Sequence, residues 1–261
     1  MLSKLTETIF LSDKREKLLI LLQDGPVSIK TISSSLNTTS SSILPQIKKL
    51  RDTGLVSKDD NGIYELTTVG RLIVENLTPF SSLLSIFNTD GPYWADRDLK
   101  SIPEDLVQRI GDLGNITLIE PDIDHMYDLQ DELVENLRSS RHIMCLESFF
   151  HPDHPDLYLS LARDNISLTL ILTTSIFDRM QIDYHEQMNN LMGLENVELF
   201  VCKDTIRPPF INVTDKFVYL SFFNRSGKYD HRDVMSYDKS ALDWGKELFI
   251  YYRNLSEVVE N

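Results

Sequence analysis

Residues 26–67, running from Pro26-Val27-Ser28-Ile29 to Glu65-Leu66-Thr67, constrain the fold of this chain more than any other stretch. Ile29, Ile32 and Leu36 recur at helical spacing after Ser28. Asn37-Thr38 supplies a turn. Thr39 then stands as the N-cap of a further helix whose Ile43, Ile47 and Leu50 face inward. Gly54 falls where a left-handed C-cap is expected. Leu55-Val56-Ser57 and Ile63-Tyr64-Glu65-Leu66 read as short strands. Asp60-Asn61-Gly62 between them tolerates positive φ, so the pair reads as a hairpin. Upstream, Ser12 is placed to cap a helix from Asp13, with Glu16 near the capping-box position. Leu18, Leu19, Leu21 and Leu22 form its buried face, and Gly25-Pro26 ends it. Helix, turn, helix and hairpin in this order describe a winged helix-turn-helix.

In that geometry the third helix enters a DNA major groove with its N-terminal end leading. The exposed candidates are Thr39, Ser40, Ser41, Ser42, Leu44 and Gln46, with Gln46 able to pair with adenine through its amide. Lys48, Lys49 and Arg51 suit phosphate contacts, with Lys30 and Lys58 adding more from the preceding helix and the wing. No Arg stands on the reading edge, so strong guanine readout is not expected. Pro45 lies inside the helix, where it removes one backbone bond and is expected to bend the axis or shift the start. A winged helix used for protein contacts is the competing reading.

The net charge of −14 argues against a DNA-binding chain until its distribution is considered. Residues 1–80 hold 10 Lys+Arg against 9 Asp+Glu, and the rest holds 16 against 31. The acidity therefore belongs to the second part, which DNA would avoid. No apolar run reaches the ~18 residues of a membrane helix. The N-terminus lacks a signal-peptide pattern, so a cytoplasmic location is expected. Cys145 and Cys202 sit in apolar runs and read as buried structural thiols.

The expected fold is thus an α+β winged helix-turn-helix over residues 1–78, bridging helices over 79–115, and an α/β domain over 116–261. Thr68 is expected to cap a helix through Leu77 that ends near Pro79. Phe80 to Phe87 is apolar on one face, suited to a core or to a second copy of the chain. Homodimers match the twofold half-sites of many operators. Beyond residue 115, strands Ile116–Ile119, Ile143–Leu146, Ile166–Leu172, Val197–Val201 and Phe217–Phe223 are expected. Helices Met126–Leu137, Asp156–Ala162, Ser175–Leu191 and Ser240–Tyr252 alternate with them, giving a sheet covered on both faces.

The segment Tyr93-Trp94-Ala95-Asp96-Arg97-Asp98, the Ile102-Pro103-Glu104 step, Arg109-Ile110-Gly111-Asp112-Leu113 and Leu242-Asp243-Trp244-Gly245 together resemble one family. It is that of the archaeal winged-helix regulators typified by the methanogenesis regulatory protein of methanogens. The resemblance covers nearly the whole chain. It implies a DNA-binding transcription factor of a methanogenic archaeon, with double-stranded DNA as partner and a C-terminal regulatory domain. It implies neither effector nor operator.

The order from Ile166 to Asn224 is also similar to one half of a phospholipase-D-like domain. With Asp215 in that superfamily's Asp position, counting back seven and five residues gives Pro208 and Phe210 where the catalytic His and Lys would stand. Neither serves as nucleophile or cation, so no catalysis is expected. A binding cleft for a small or phosphate-containing effector is expected from Arg207, Asn212, Asp215, Ser221 and Asn224. The alternative role for these groups is the capping of strands and turns. A phosphodiesterase with a DNA-targeting module remains the enzymatic alternative, to be tested by turnover that is lost on substitution of His185 or His231. His151-Pro152-Asp153-His154-Pro155-Asp156 holds four possible metal ligands, but its prolines favour an extended acidic surface loop. No metal or cofactor is expected.

Overall fold

The computed structural model describes residues 3–125, 128–203 and 208–260. They form two compact units, residues 1–81 and 82–261.

The first unit opens with α1 (Lys4–Phe10) and α2 (Asp13–Leu21). A two-residue strand β1 (Val27–Ser28) leads into α3 (Ile29–Ser35) and α4 (Ser40–Asp52). The hairpin of β2 (Val56–Lys58) and β3 (Ile63–Leu66) follows, then α5 (Thr68–Thr89). The caps are the ones the sequence implies. Ser28 Oγ accepts from Thr31 N at 3.2 Å and Thr39 Oγ1 from Ser42 N at 3.3 Å. Ser12, by contrast, makes no side-chain cap. At the far end of α4, Gly54 adopts φ 74°. Its N–H bonds Arg51 O and that of Leu55 bonds Leu50 O, both at 2.9 Å, so two orphan carbonyls are satisfied. In the hairpin, Asp59 Oδ1 accepts from Asn61 N at 3.0 Å and Ile63 N at 2.7 Å, which fixes the turn before Gly62.

Three details of this unit were not anticipated. β1 pairs antiparallel with β3, making the wing a three-stranded sheet. The helix after the wing is capped by Thr67, whose Oγ1 accepts from Gly70 N at 3.0 Å. That helix also continues through Pro79 instead of ending there. Leu77 is buried, and the Thr78 hydroxyl reaches Gln23 Oε1 at 3.0 Å, so packing outweighs the one bond that Pro79 lacks. The core gathers Leu18, Leu19, Ile32, Ile43, Ile47, Leu50, Leu55 and Val74.

The second unit is built on an eight-stranded sheet of order β11-β7-β6-β5-β8-β9-β10-β4. Its strands are β4 (Ile116–Ile119), β5 (His142–Glu147), β6 (Ser167–Thr173), β7 (Val197–Cys202), β8 (Phe210–Thr214), β9 (Val218–Ser221), β10 (Asp233–Ser236) and β11 (Glu257–Val258). β5, β6 and β7 run parallel; every other pairing is antiparallel. One face is covered by α8 (Asp131–Ser139), α9 (His154–Arg163), α10 (Thr174–Asp183) and α11 (His185–Met192), packed around Tyr158, Leu161, Leu170 and Met188. The other is covered by α12 (Lys239–Asn254), centred on Trp244 and Phe249.

Residues 82–113, within the bridge expected over 79–115, contribute to the core of this second unit. Ile86, together with Tyr93 and Trp94 of α6 (Gly91–Ala95) and Leu106 of α7 (Glu104–Gln108), is buried in the same cluster as Trp244. Trp244 Nε1 donates to Leu106 O at 2.9 Å. The single helix expected over Ser175–Leu191 is two helices, interrupted at Tyr184. α9 begins at His154, because a proline in the first helical turn costs no bond there. Met126, the expected start of the first helix of this domain, lies outside the described residues, and α8 begins at Asp131. Both cysteines are buried. Among the described residues no helix is long and apolar enough to cross a membrane.

Candidate functional site

The first site is a surface groove of about 840 Å³ between α4 and the wing. Ser41, Leu44, Pro45, Lys48, Arg51 and Asp52 line it from the helix, at a spacing that places them on one face. Val56, Ser57, Lys58 and Tyr64 line it from the hairpin. Lys58 Nζ lies 5.5 Å from the Tyr64 ring centroid, which aims its charge along the groove. Three cations, one carboxylate and an apolar step at Leu44-Pro45 thus face one trough. Such a surface offers charge to phosphates and methyl-sized contact to base edges.

The structure sorts the candidates of this unit. Lys48, Arg51 and Lys58 stand in the groove with Ser41. Lys30 and Lys49 are exposed but do not line it. Thr39 spends its hydroxyl on the cap, and Ser40 Oγ lies 3.1 Å from Ser33 Oγ. Ser42 accepts from Lys14 Nζ at 2.7 Å. Gln46 is turned toward α2, where its Oε1 accepts from Arg15 Nη1 at 2.9 Å. Arg15 is buried, and its other donors reach the carbonyls of Thr8 and Glu7 at the end of α1. α4 remains helical through Pro45, and this proline adds apolar surface to the groove.

The second site is a cavity of about 600 Å³ at the C-terminal end of β5. There the parallel strand β6 lies on one side of β5 and the antiparallel strand β8 on the other. The register brings Phe210, Ser221 and Asp233 side by side across β8, β9 and β10. Phe149, Phe150, His151 and His154 enter from the loop after β5 and the start of α9, and Tyr229 and His231 from the segment before β10. Asp233 is 2% exposed. It accepts from Tyr219 Oη at 2.5 Å and Tyr229 Oη at 2.9 Å, and burial pushes its pKa up. Burial likewise raises both phenols, with Asp233 adding to the effect. Behind the wall, buried Glu147 accepts from Tyr158, and His154 Nδ1 lies 2.8 Å from its carboxylate.

Of the four described cleft residues expected from sequence, Asn212, Asp215, Ser221 and Asn224, only Ser221 lines this cavity. Arg207 lies outside the described residues. Asp215 sits at the opposite end of the sheet, where it accepts from Arg141 N at 2.9 Å and backbone donors hold its carboxyl below the usual range despite partial burial. Asn224 closes a turn by accepting from Ser226 N and Lys228 N. Asn212 is buried mid-strand opposite Cys145. Turn and strand positions thus account for most of this set. His151 and His154, expected on an exposed acidic loop, instead line the cavity, and His154 is 7% exposed. The described residues contain no cluster of three or more potential metal ligands.

The chain matches two family models, the methanogenesis regulatory protein FilR1 N-terminal domain over residues 4–85 and the FilR1 middle domain over residues 126–255. The methanogenesis regulatory protein FilR1 of Methanothrix harundinacea is 23% identical over 255 residues, covering 95% of this chain and 56% of that protein. The HTH-type transcriptional activator ArnR1 of Sulfolobus acidocaldarius is 41% identical over 75 residues, covering 29% of this chain and 27% of that protein. The chain therefore spans about half of the first of these relatives and about a quarter of the second. Among solved structures, the archaeal chromatin protein TrmBL2 aligns over 98% of this chain and 97% of its own, at 14% identity and TM-score 0.45. The phospholipase D family member Nuc of Salmonella typhimurium aligns over 56% of this chain and 99% of its own, at 12% identity and TM-score 0.43. The two family models fall on the two structural units in chain order, and the chain belongs to the FilR1 family of archaeal winged-helix regulators.

Proposed function

We propose that this chain is a DNA-binding transcriptional regulator in which α4 and the wing engage duplex DNA. The second unit then acts as an effector-sensing domain. The groove of Lys48, Arg51 and Lys58 between helix and wing carries this reading. The named regulators among its relatives support it. Three groove cations are a small set for backbone neutralisation, and one module would bind weakly at physiological salt.

A homodimer on two half-sites compensates for that. Phe10, Leu11, Val69, Leu72 and Phe80 are exposed large apolar side chains of the first unit. Phe10 and Phe80 meet edge to face at 6.3 Å. A twofold partner covering them would present two α4 helices to one face of DNA at roughly 34 Å separation. An effector would shift this arrangement only by binding one of two states more tightly.

The test is a gel shift with DNA from upstream of the chain's own gene, titrated with salt. Binding that weakens steeply with salt is expected. No shift at low salt, with this and other native upstream segments, overturns the reading. Sedimentation of the free chain checks the dimer.

A further inference from the structure

The lining of the cavity at the end of β5 selects for one ligand chemistry. Five aromatic rings form its walls: Phe149, Phe150, Phe210, Tyr219 and Tyr229. Phe149 stacks on Tyr229 at 4.3 Å and lies 5.1 Å from Phe210, and Phe210 meets Tyr219 edge to face at 6.2 Å. Aromatic faces attract cations held within about 6 Å of the ring centroid. One of these rings already does so, since the Arg179 guanidinium lies 3.9 Å from the centroid of Phe150.

The charged groups point the same way. Asp128, Asp153 and Asp233 line the cavity, and among the described residues no Lys or Arg does. Asp233 is the buried one, held by two phenols with Ser221 and His231 beside it. A neutral apolar ligand would leave this carboxylate desolvated without an opposing charge, and a phosphate would bring a second anion against it. A bare metal ion would leave the ring walls unused. The volume lies within the range of small-molecule sites.

We propose that this cavity binds a small alkylated ammonium ion, its positive charge directed at Asp233 and its alkyl groups against Phe149, Phe210, Tyr219 and Tyr229. The three lining histidines supply polar edges around the same charge. The proposal deepens the reading of the second unit as a sensor and rests on it only for the consequence of binding; binding itself is tested without DNA.

The test is calorimetric titration of the full chain with three probes: choline, its neutral isostere in which carbon replaces nitrogen, and inorganic phosphate. Saturable binding of choline is expected, about tenfold or more tighter than the isostere, with no phosphate heat. Asp233→Asn should reduce choline affinity about tenfold and leave the isostere unchanged. Equal affinity for choline and the isostere, preference for phosphate, or no choline heat at about 10 mM overturns the proposal. Should Asp233→Asn fail to fold, the comparison of the probes on the unaltered chain still decides, and Phe149→Leu supplies the variant, with weakened choline binding expected. A chain that binds choline but shifts no DNA overturns the regulator reading alone, and the reverse result overturns the cation alone.

Discussion

The Arg15 guanidinium donates to the Gln46 side-chain carbonyl at 2.9 Å, tying α2 to the middle of α4, the helix proposed to meet DNA. A glutamine on such a helix invites the interpretation of an adenine reader. Here its acceptor is committed to a buried cation whose remaining bonds go to the end of α1. Gln46→Ala should therefore cost stability of about 1–3 kcal/mol, the range for leaving a buried donor unsatisfied. Sequence preference on DNA should stay as it was. Urea denaturation and a binding-site selection measure the two halves separately. A change in preferred bases at unchanged stability would return Gln46 to the reading face.

Lys48, Arg51 and Lys58 line the groove, whereas Lys30 and Lys49 do not. Each of the first three, changed to Ala, should reduce the slope of log affinity against log salt by about 1. Lys30→Ala and Lys49→Ala should change it less. Because phosphates carry no sequence information, the loss should be similar on cognate and unrelated DNA. Fluorescence anisotropy over a salt series decides this. Equal effects at all five positions would mean that DNA follows a broader face than the groove.

A Cβ built on Gly70 would stand 2.0 Å from the Leu55 carbonyl oxygen, so the start of α5 passes directly over the strand that opens the wing. The opposing Leu55 oxygen and carbon belong to backbone, and neither yields cheaply. Gly70→Ala, normally favourable inside a helix, should here destabilise by about 2–3 kcal/mol through overpacking. Thermal unfolding followed by circular dichroism checks the sign, which is opposite to that expected from helix propensity. Stabilisation would show that the helix start adjusts freely.

Local chemistry explains what could be read in advance. Thr39 and Ser28 cap helices through bonds spanning three residues, and Gly54 closes α4 within two, so sequence spacing suffices to place them. Arg15 and Gln46 meet across 31 residues, and no short-range pattern announces the pairing. The cavity is harder still. Glu147 and Asp233 come from strands far apart in the chain, and β10 is four residues long after a polar stretch without helical or strand period. A signal was nevertheless present. A glutamate ending the apolar run Ile143-Met144-Cys145-Leu146, followed by Phe149-Phe150-His151, is an expensive residue to bury without a task. Of the cleft candidates, Asp215 and Asn224 follow turn chemistry instead.

Asp233 should leave a mark on the pH dependence of stability. Burial raises its folded pKa above the ordinary 3.8, against the opposing bonds from Tyr219, Tyr229 and Ser221 and the nearby His231. A carboxyl that holds its proton more tightly when folded contributes stability that is fully present below pH 3.8. That contribution is lost as pH rises through the folded value, because the unfolded chain releases the proton first. Asp90, Asp230 and Glu247 act in the opposite sense, their pKa values lying below the usual range: the Tyr93 N–H and then Arg232 lower that of Asp90, Arg97 lowers that of Asp230 against its desolvation, and Arg109 lowers that of Glu247. The total curve therefore mixes both signs, and only a difference isolates Asp233. Subtracting the urea stability of the unaltered chain from that of Asp233→Asn, from about pH 4 to 7, should give a difference that increases with pH and then levels off. An alkylammonium ligand should flatten that rise by stabilising the ionised carboxylate in the folded state. A difference independent of pH would mean that Asp233 is ionised equally easily in both states, and the phenols would then offset its burial completely.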